Sequence, residues 1–134
     1  MIWDIIRKKL DDAGLAQSGV DMFEETMPGE VVRGVMLRSP LTGIVIDPYI
    51  PGFHKPSMQV IIRHTDPVVG RKLALDIVDA LTVKAIEDYP ATAERLAVRL
   101  SVFYPKTLPI QYPRLEGNAI EWSINFTTAF GFRK

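Results

Sequence analysis

His64 and Asp66 stand two residues apart in "RHTDPVVGRK", with Arg71 and Lys72 just beyond them. A histidine beside a carboxylate is the smallest unit that can pass a proton at neutral pH. Basic side chains at the start of a helix make a pattern that receives an anion. A second histidine, His54, lies in a loop rich in proline. Neither pattern grows into a catalytic constellation. The chain has no cysteine, and its two histidines have no acidic cluster near them, as a metal set would need. The phosphate-binding patterns G-x-x-x-x-G-K-[ST] and G-x-G-x-x-G are absent. The carboxylates Asp11, Asp12, Glu24, Glu25, Asp76 and Asp79 fall on expected helix faces or in a strand near a turn, where solvation accounts for them. The expectation is therefore no catalytic residue, no cofactor and no metal, with His64 closing a strand end. A small anion-binding enzyme using His64, Asp66 and Arg71 stands as the alternative.

These residues must be positioned by elements that the periodicity marks out. Residues 1–13 read as an amphipathic helix, with Ile2, Ile6 and Leu10 four apart, Trp3 and Ala13 extending the stripe, and Gly14 as its stop. Asp4 and Lys8 are spaced as a helical ion pair. Residues 20–27 and 30–38 are expected to form a hairpin around Pro28-Gly29, in a type II turn. The turn "SPLTG" and a short apolar run, 43–46, lead into the loop 47–56. Residues 57–64 alternate as a strand, with Met58, Val60, Ile62 and His64 on one side. Asp66 and Pro67 are an N-cap and an N1 proline, which start a helix running to about residue 82. Its buried stripe is Ala74, Ile77, Val78 and Leu81, and Gly70 gives room for packing on the sheet. Residues 83–93 fit a short helical turn and a loop. Leu96, Val98, Leu100 and Val102 make one face of a further strand. A second proline-rich excursion ends in a hairpin tip at 116–118. Ile120, Trp122, Ile124 and Phe126 form the last strand, and "AFGFRK" is a tail that exposes aromatic residues. The order predicts an α+β fold: one domain over residues 1–134, a mixed sheet, and two main helices on one face. The segment 57–103 reads as a strand–helix–strand crossover.

The chain has 134 residues, enough for one core, and carries 16 basic against 16 acidic groups. Zero formal charge argues against a protein that holds nucleic acid by neutralising phosphates, though not against one that lets it pass. No apolar run reaches the roughly 20 residues that span a bilayer. The start has neither a cationic region nor a small-residue cleavage site, so no secretory signal is expected.

The loop 47–56 needs a separate explanation. Pro48, Pro51 and Pro56 stiffen it, and Tyr49, Ile50, Phe53 and His54 give it an apolar surface. It either folds down on its own core or forms a rigid arm that docks on a neighbour with little entropy to lose. The second excursion, with Leu108, Ile110 and Tyr112, poses the same choice. Phe130 and Phe132 in the tail are further contact candidates.

Two blocks carry a family resemblance: "GVMLRSPLTGIVIDPYIPGFHKPSMQVIIRHTDPVVGRKLALDIVDALT" and "FYPKTLPIQYPRLEGNAIEWSINF", behind a short helix. Together, from about Gly34 to Phe126, they resemble the tail terminator family of long-tailed bacteriophages, often labelled minor capsid proteins. The elements "LxxPLTGxxID…PG" and "GNxIEWSINF" are the more specific ones. The resemblance implies a structural virion protein, assembled in the host cytoplasm without catalytic residues or cofactor. Its members form a hexameric ring on the head-proximal end of the tail tube. The ring stops tube growth and meets the head connector. The implied partners are further copies of the chain, the tail tube protein and a head stopper, with DNA passing through the lumen unbound. Another neck component of stopper or completion type is the alternative.

Overall fold

The computed structural model describes residues 2–40, 43–112 and 118–133. Its elements are α1 (Trp3–Asp12), β1 (Met22–Glu24), β2 (Gly34–Arg38), β3 (Phe53–His54), β4 (Ser57–His64), α2 (Pro67–Leu81), β5 (Glu87–Tyr89), β6 (Ala97–Pro105), β7 (Ile110–Tyr112) and β8 (Ile120–Arg133). They form one mixed sheet in the order β1-β2-β4-β8-β6-β5, with β3 and β7 also paired to β8. The fold is α+β.

Both helices lie on one face. Ile6 and Leu10 of α1 and Ala74, Ile77 and Leu81 of α2 share a core with Val35, Leu37, Met58, Val60, Ile62, Trp122, Ile124 and Phe126. The local chemistry of α2 is as expected: Asp66 Oδ1 accepts from the N–H groups of Val68 at 2.9 Å and Val69 at 3.3 Å. In α1 the expected Asp4–Lys8 pair is replaced. Lys8 reaches Asp12 at 2.9 Å, and Asp4 instead holds Arg95 at 2.8 Å, tying the helix to the chain before β6.

Gly70 sets how closely α2 approaches the sheet. A methyl group there would overlap the Trp122 ring and come within 3.1 Å of His64 Cβ. Gly70→Ala is expected to lose about 1–3 kcal/mol through overpacking, despite alanine's better helix propensity. Urea denaturation reads this directly, and an unchanged midpoint would mean that the helix can ride outward freely.

Three expectations are corrected. The strands β1 and β2 are not a hairpin; they pair in parallel, Met22 with Val35 and Glu24 with Leu37. The intervening segment crosses the helix-free face, where Met27, Phe23 and Val31 cover Met36 and Ile61. Arg63 pins it there: Nη1 donates to the carbonyls of Pro28 at 2.8 Å and Val31 at 2.9 Å, while Nη2 donates to Glu121 at 2.9 Å. Residues 83–93 hold a strand, β5, which pairs with β6. The strand β6 changes face midway. A bulge between Leu100 and Val102 puts Phe103, not Val102, in the core. The expected crossover over 57–103 does form: β4 and β6 run parallel in one sheet, joined through α2, with β8 between them and antiparallel to both.

The last strand is longer than its alternation suggests and has neighbours on both flanks. On one flank β4 covers residues 120–127, and β3 continues it to Gly131 in the same register. On the other, β6 covers 126–133 and β7 covers 121–123. The second proline-rich excursion thus interrupts, at residues 106–109, the run of strand along one flank of β8; the first, 47–56, lies mostly before β3 and contributes that strand to the other flank. Residues 41–42 of the first turn and 113–117, with most of the expected hairpin tip, lie outside the described residues; Asn118, at the tip's end, has φ +63°.

Candidate assembly interface

The suggested acid–base couple is a strand-to-helix junction. Asp66 turns its carboxylate to the first turn of α2, and its N–H donates to His64 Nδ1 at 2.9 Å. Burial, then the positive charge of Arg33, holds the His64 pKa below the usual imidazole range. His64 therefore stays neutral and serves as an acceptor that shapes the turn. Arg71 points to solvent on α2. Among the described residues no three His, Asp or Glu side chains gather as a metal set.

The loop 47–56 divides into an anchored base and an exposed tip. At the base, Phe53 and His54 pair with Gly131 and Phe130. Phe132 N–H donates to Gly52 O at 2.8 Å, and Thr128 Oγ1 donates to Pro56 O at 2.6 Å. Gly52 has φ +77°, and a Cβ there would lie 3.1 Å from Phe132 O, so only glycine fits without strain. The His54 ring stacks obliquely on Phe130 at 5.7 Å, and its Nδ1–H donates to Val45 O at 3.2 Å. Phe53 is half-buried beneath Lys55, whose ammonium lies 5.7 Å from the ring centre.

The tip is held in shape but uncovered. Asp47 Oδ1 accepts from Tyr49 N–H at 2.9 Å, and Asp47 O from Ile50 N–H at 3.3 Å. Tyr49 is 92% exposed, Val45 83% and Ile46 77%, with Ile50 also exposed. Beside them opens a cleft of about 440 Å³ between Pro40, Val45, Asp47, Ile50, Phe53 and Pro56. Val45 and Ile46 were legible only as an apolar run; the prolines that follow, which leave no room for a strand, were the available signal of their exposure. The second excursion repeats the pattern, with Leu108 77% exposed and Ile110 and Tyr112 also open.

The aromatic tail is a correction. Phe130 is fully buried and Phe132 half-buried against the same core, because β8 continues through both. Phe130 presents no surface to a partner.

The two exposed segments sit at opposite corners of β8. The arm adjoins residues 130–131 on the β4 flank, and β7 adjoins 121–123 on the β6 flank. At about 3.3 Å per residue the corners are roughly 25–30 Å apart. The sequence matches the family model described as bacteriophage tail terminator protein over residues 9–130, and the chain belongs to that family. It is a structural protein of the phage tail, and its place is the virion. No curated protein matches the sequence. A chain in the solved structure of the virion of a native gene transfer agent particle has a similar fold, with TM-score 0.58 and 16% identity, covering 94% of this chain and 91% of that one. Among the described residues no helix is long and apolar enough to cross a membrane.

Proposed function

We propose that the protein closes into a homo-oligomeric ring, a hexamer, on the head-proximal end of the tail tube. The ring ends tube polymerisation and offers its far side to the head stopper. DNA crosses the lumen without being held, which fits a chain with 16 basic and 16 acidic residues. The observation that carries this reading is the pair of unlike apolar surfaces at opposite corners of β8. Two different patches on each chain are what a head-to-tail contact requires, and such contacts close into rings when the rotation allows. Added to growing tail tubes, the protein is expected to give tubes of uniform length bearing a terminal ring in electron micrographs. Tubes that keep growing in its presence, at the same length distribution as without it, would end the proposal.

A further inference from the structure

The ring reading leaves open which surfaces meet, and the two corners answer this in detail. We propose that Leu108 of one subunit seats in the cleft beneath the arm of the next copy, with Lys106 beside it meeting Asp47. This inference rests on the ring. Pro105 pairs with Phe126 and Ile110 with Ser123, so the four residues 106–109 stand opposite only two residues of β8. The surplus is pushed out of the sheet as a bulge with Leu108 on it, while Lys106 N–H stays tied to Asn125 O at 2.8 Å. The bulge is therefore a fixed projection that carries a large apolar side chain. The cleft is its counterpart: about 440 Å³, walled by Val45, Ile50 and Phe53, within the range of pockets that take a ligand.

Charge agrees with shape. Among the described residues neither Lys106 nor Asp47 has an ion-pair partner within its own subunit. Lys55, also at the cleft, lies over the Phe53 ring instead. Bulge and cleft lie on opposite flanks of one strand, so they cannot meet within a subunit, but they can meet between successive copies. Prolines on both sides of the contact reduce the ordering cost.

The chain has no cysteine, which makes the test direct. The double variant Ile50→Cys with Leu108→Cys is assembled on tail tubes and oxidised. A non-reducing gel is expected to show a ladder of covalent oligomers reversed by reductant, because seating brings the two Cα atoms within the roughly 4.4–6.8 Å that a disulfide needs. Each single variant should give no ladder. Terminal rings without a ladder would overturn this contact and leave the ring standing. A disulfide from the Leu108→Cys single variant to the tube protein would also overturn it. Absence of rings with the unsubstituted protein would overturn the ring itself. The charge pair gives a second readout that needs no disulfide. Asp47→Lys and Lys106→Asp are each expected to lower the ring fraction about tenfold through like-charge contact, and the two together to restore it. Failure of the pair to restore the ring counts against the contact.

Discussion

Ile62→Asp is expected to abolish the cooperative unfolding transition. Ile62 is fully buried at the centre of β4, between Val35 of β2 and Trp122 of β8, and faces the core shared by both helices. An aspartate there sits among the apolar side chains of this core, where the polar group on its cross-strand neighbour is the buried, unpartnered Nε1–H of Trp122, which cannot neutralise a charge. It must either bury an unpaired charge or bind a proton at pH 7, and it also forfeits the packing of the isoleucine. The combined loss exceeds about 4 kcal/mol, against a total of about 5–15 kcal/mol for a domain of this size. Far-ultraviolet dichroism should show no sigmoidal melt, and amide resonances should collapse to the unfolded range. A melt within a few degrees of the parent would mean that Ile62 does not lie in the core described above.

The double variant Ile46→Asp with Tyr49→Asp has the opposite signature. Both side chains are largely in water in the isolated subunit, so its melting temperature should stay within about 2 °C, as is usual for surface changes worth under 0.5 kcal/mol. In the proposed ring both carboxylates would be drawn from water, and the cation that the contact brings, Lys106, is already engaged by Asp47. That costs several kcal/mol per contact, repeated around the ring. Terminal rings should disappear and tubes should overgrow. Normal rings from a normally folded double variant would place the arm outside the interface. Phe53→Asp is a poorer probe, because Phe53 belongs to β3 and lies under Lys55. The base of the loop is thus folded on its own core, while the tip is exposed and its docking is what the double variant tests.

Much of the fold was legible because local chemistry and tertiary structure agree there. Asp66-Pro67 marked the start of α2 at the residue where it begins, and alternation placed Met58, Val60, Ile62, Trp122 and Ile124 in the core. The failures have specific causes. Pro28-Gly29 is a turn signal, but a turn does not say which neighbour the flanking strands choose. Here the pairing is parallel, and the segment is held across the sheet by Arg63, far along the chain. The bulge at Ser101 was invisible because residues 96–102 alternate well on their own. The extent of β8 was hidden by Thr128, a polar residue in the apolar series Phe126, Phe130 and Phe132. Its hydroxyl is buried but donates to Pro56 O, a bond that only the folded arm supplies. For the candidate interface the sequence named Tyr49, Ile50 and Leu108. It could not name the cleft, which exists only once β3 has paired with β8.

The placement of β8 carries a kinetic consequence. The strand at the heart of the sheet is the last of the described strands to be synthesised, and its pairs with β4 reach back 56 residues at His64–Ile120 and 70 at Ser57–Thr127. Until residues 120–133 leave the ribosome, β4 and β6 have bare edges beside their apolar faces. Such long-range pairing slows the search for the native state and leaves the nascent chain sticky for longer. In cells making tails in bulk, holdase chaperones should influence the yield of this subunit more than that of a helical protein of similar length.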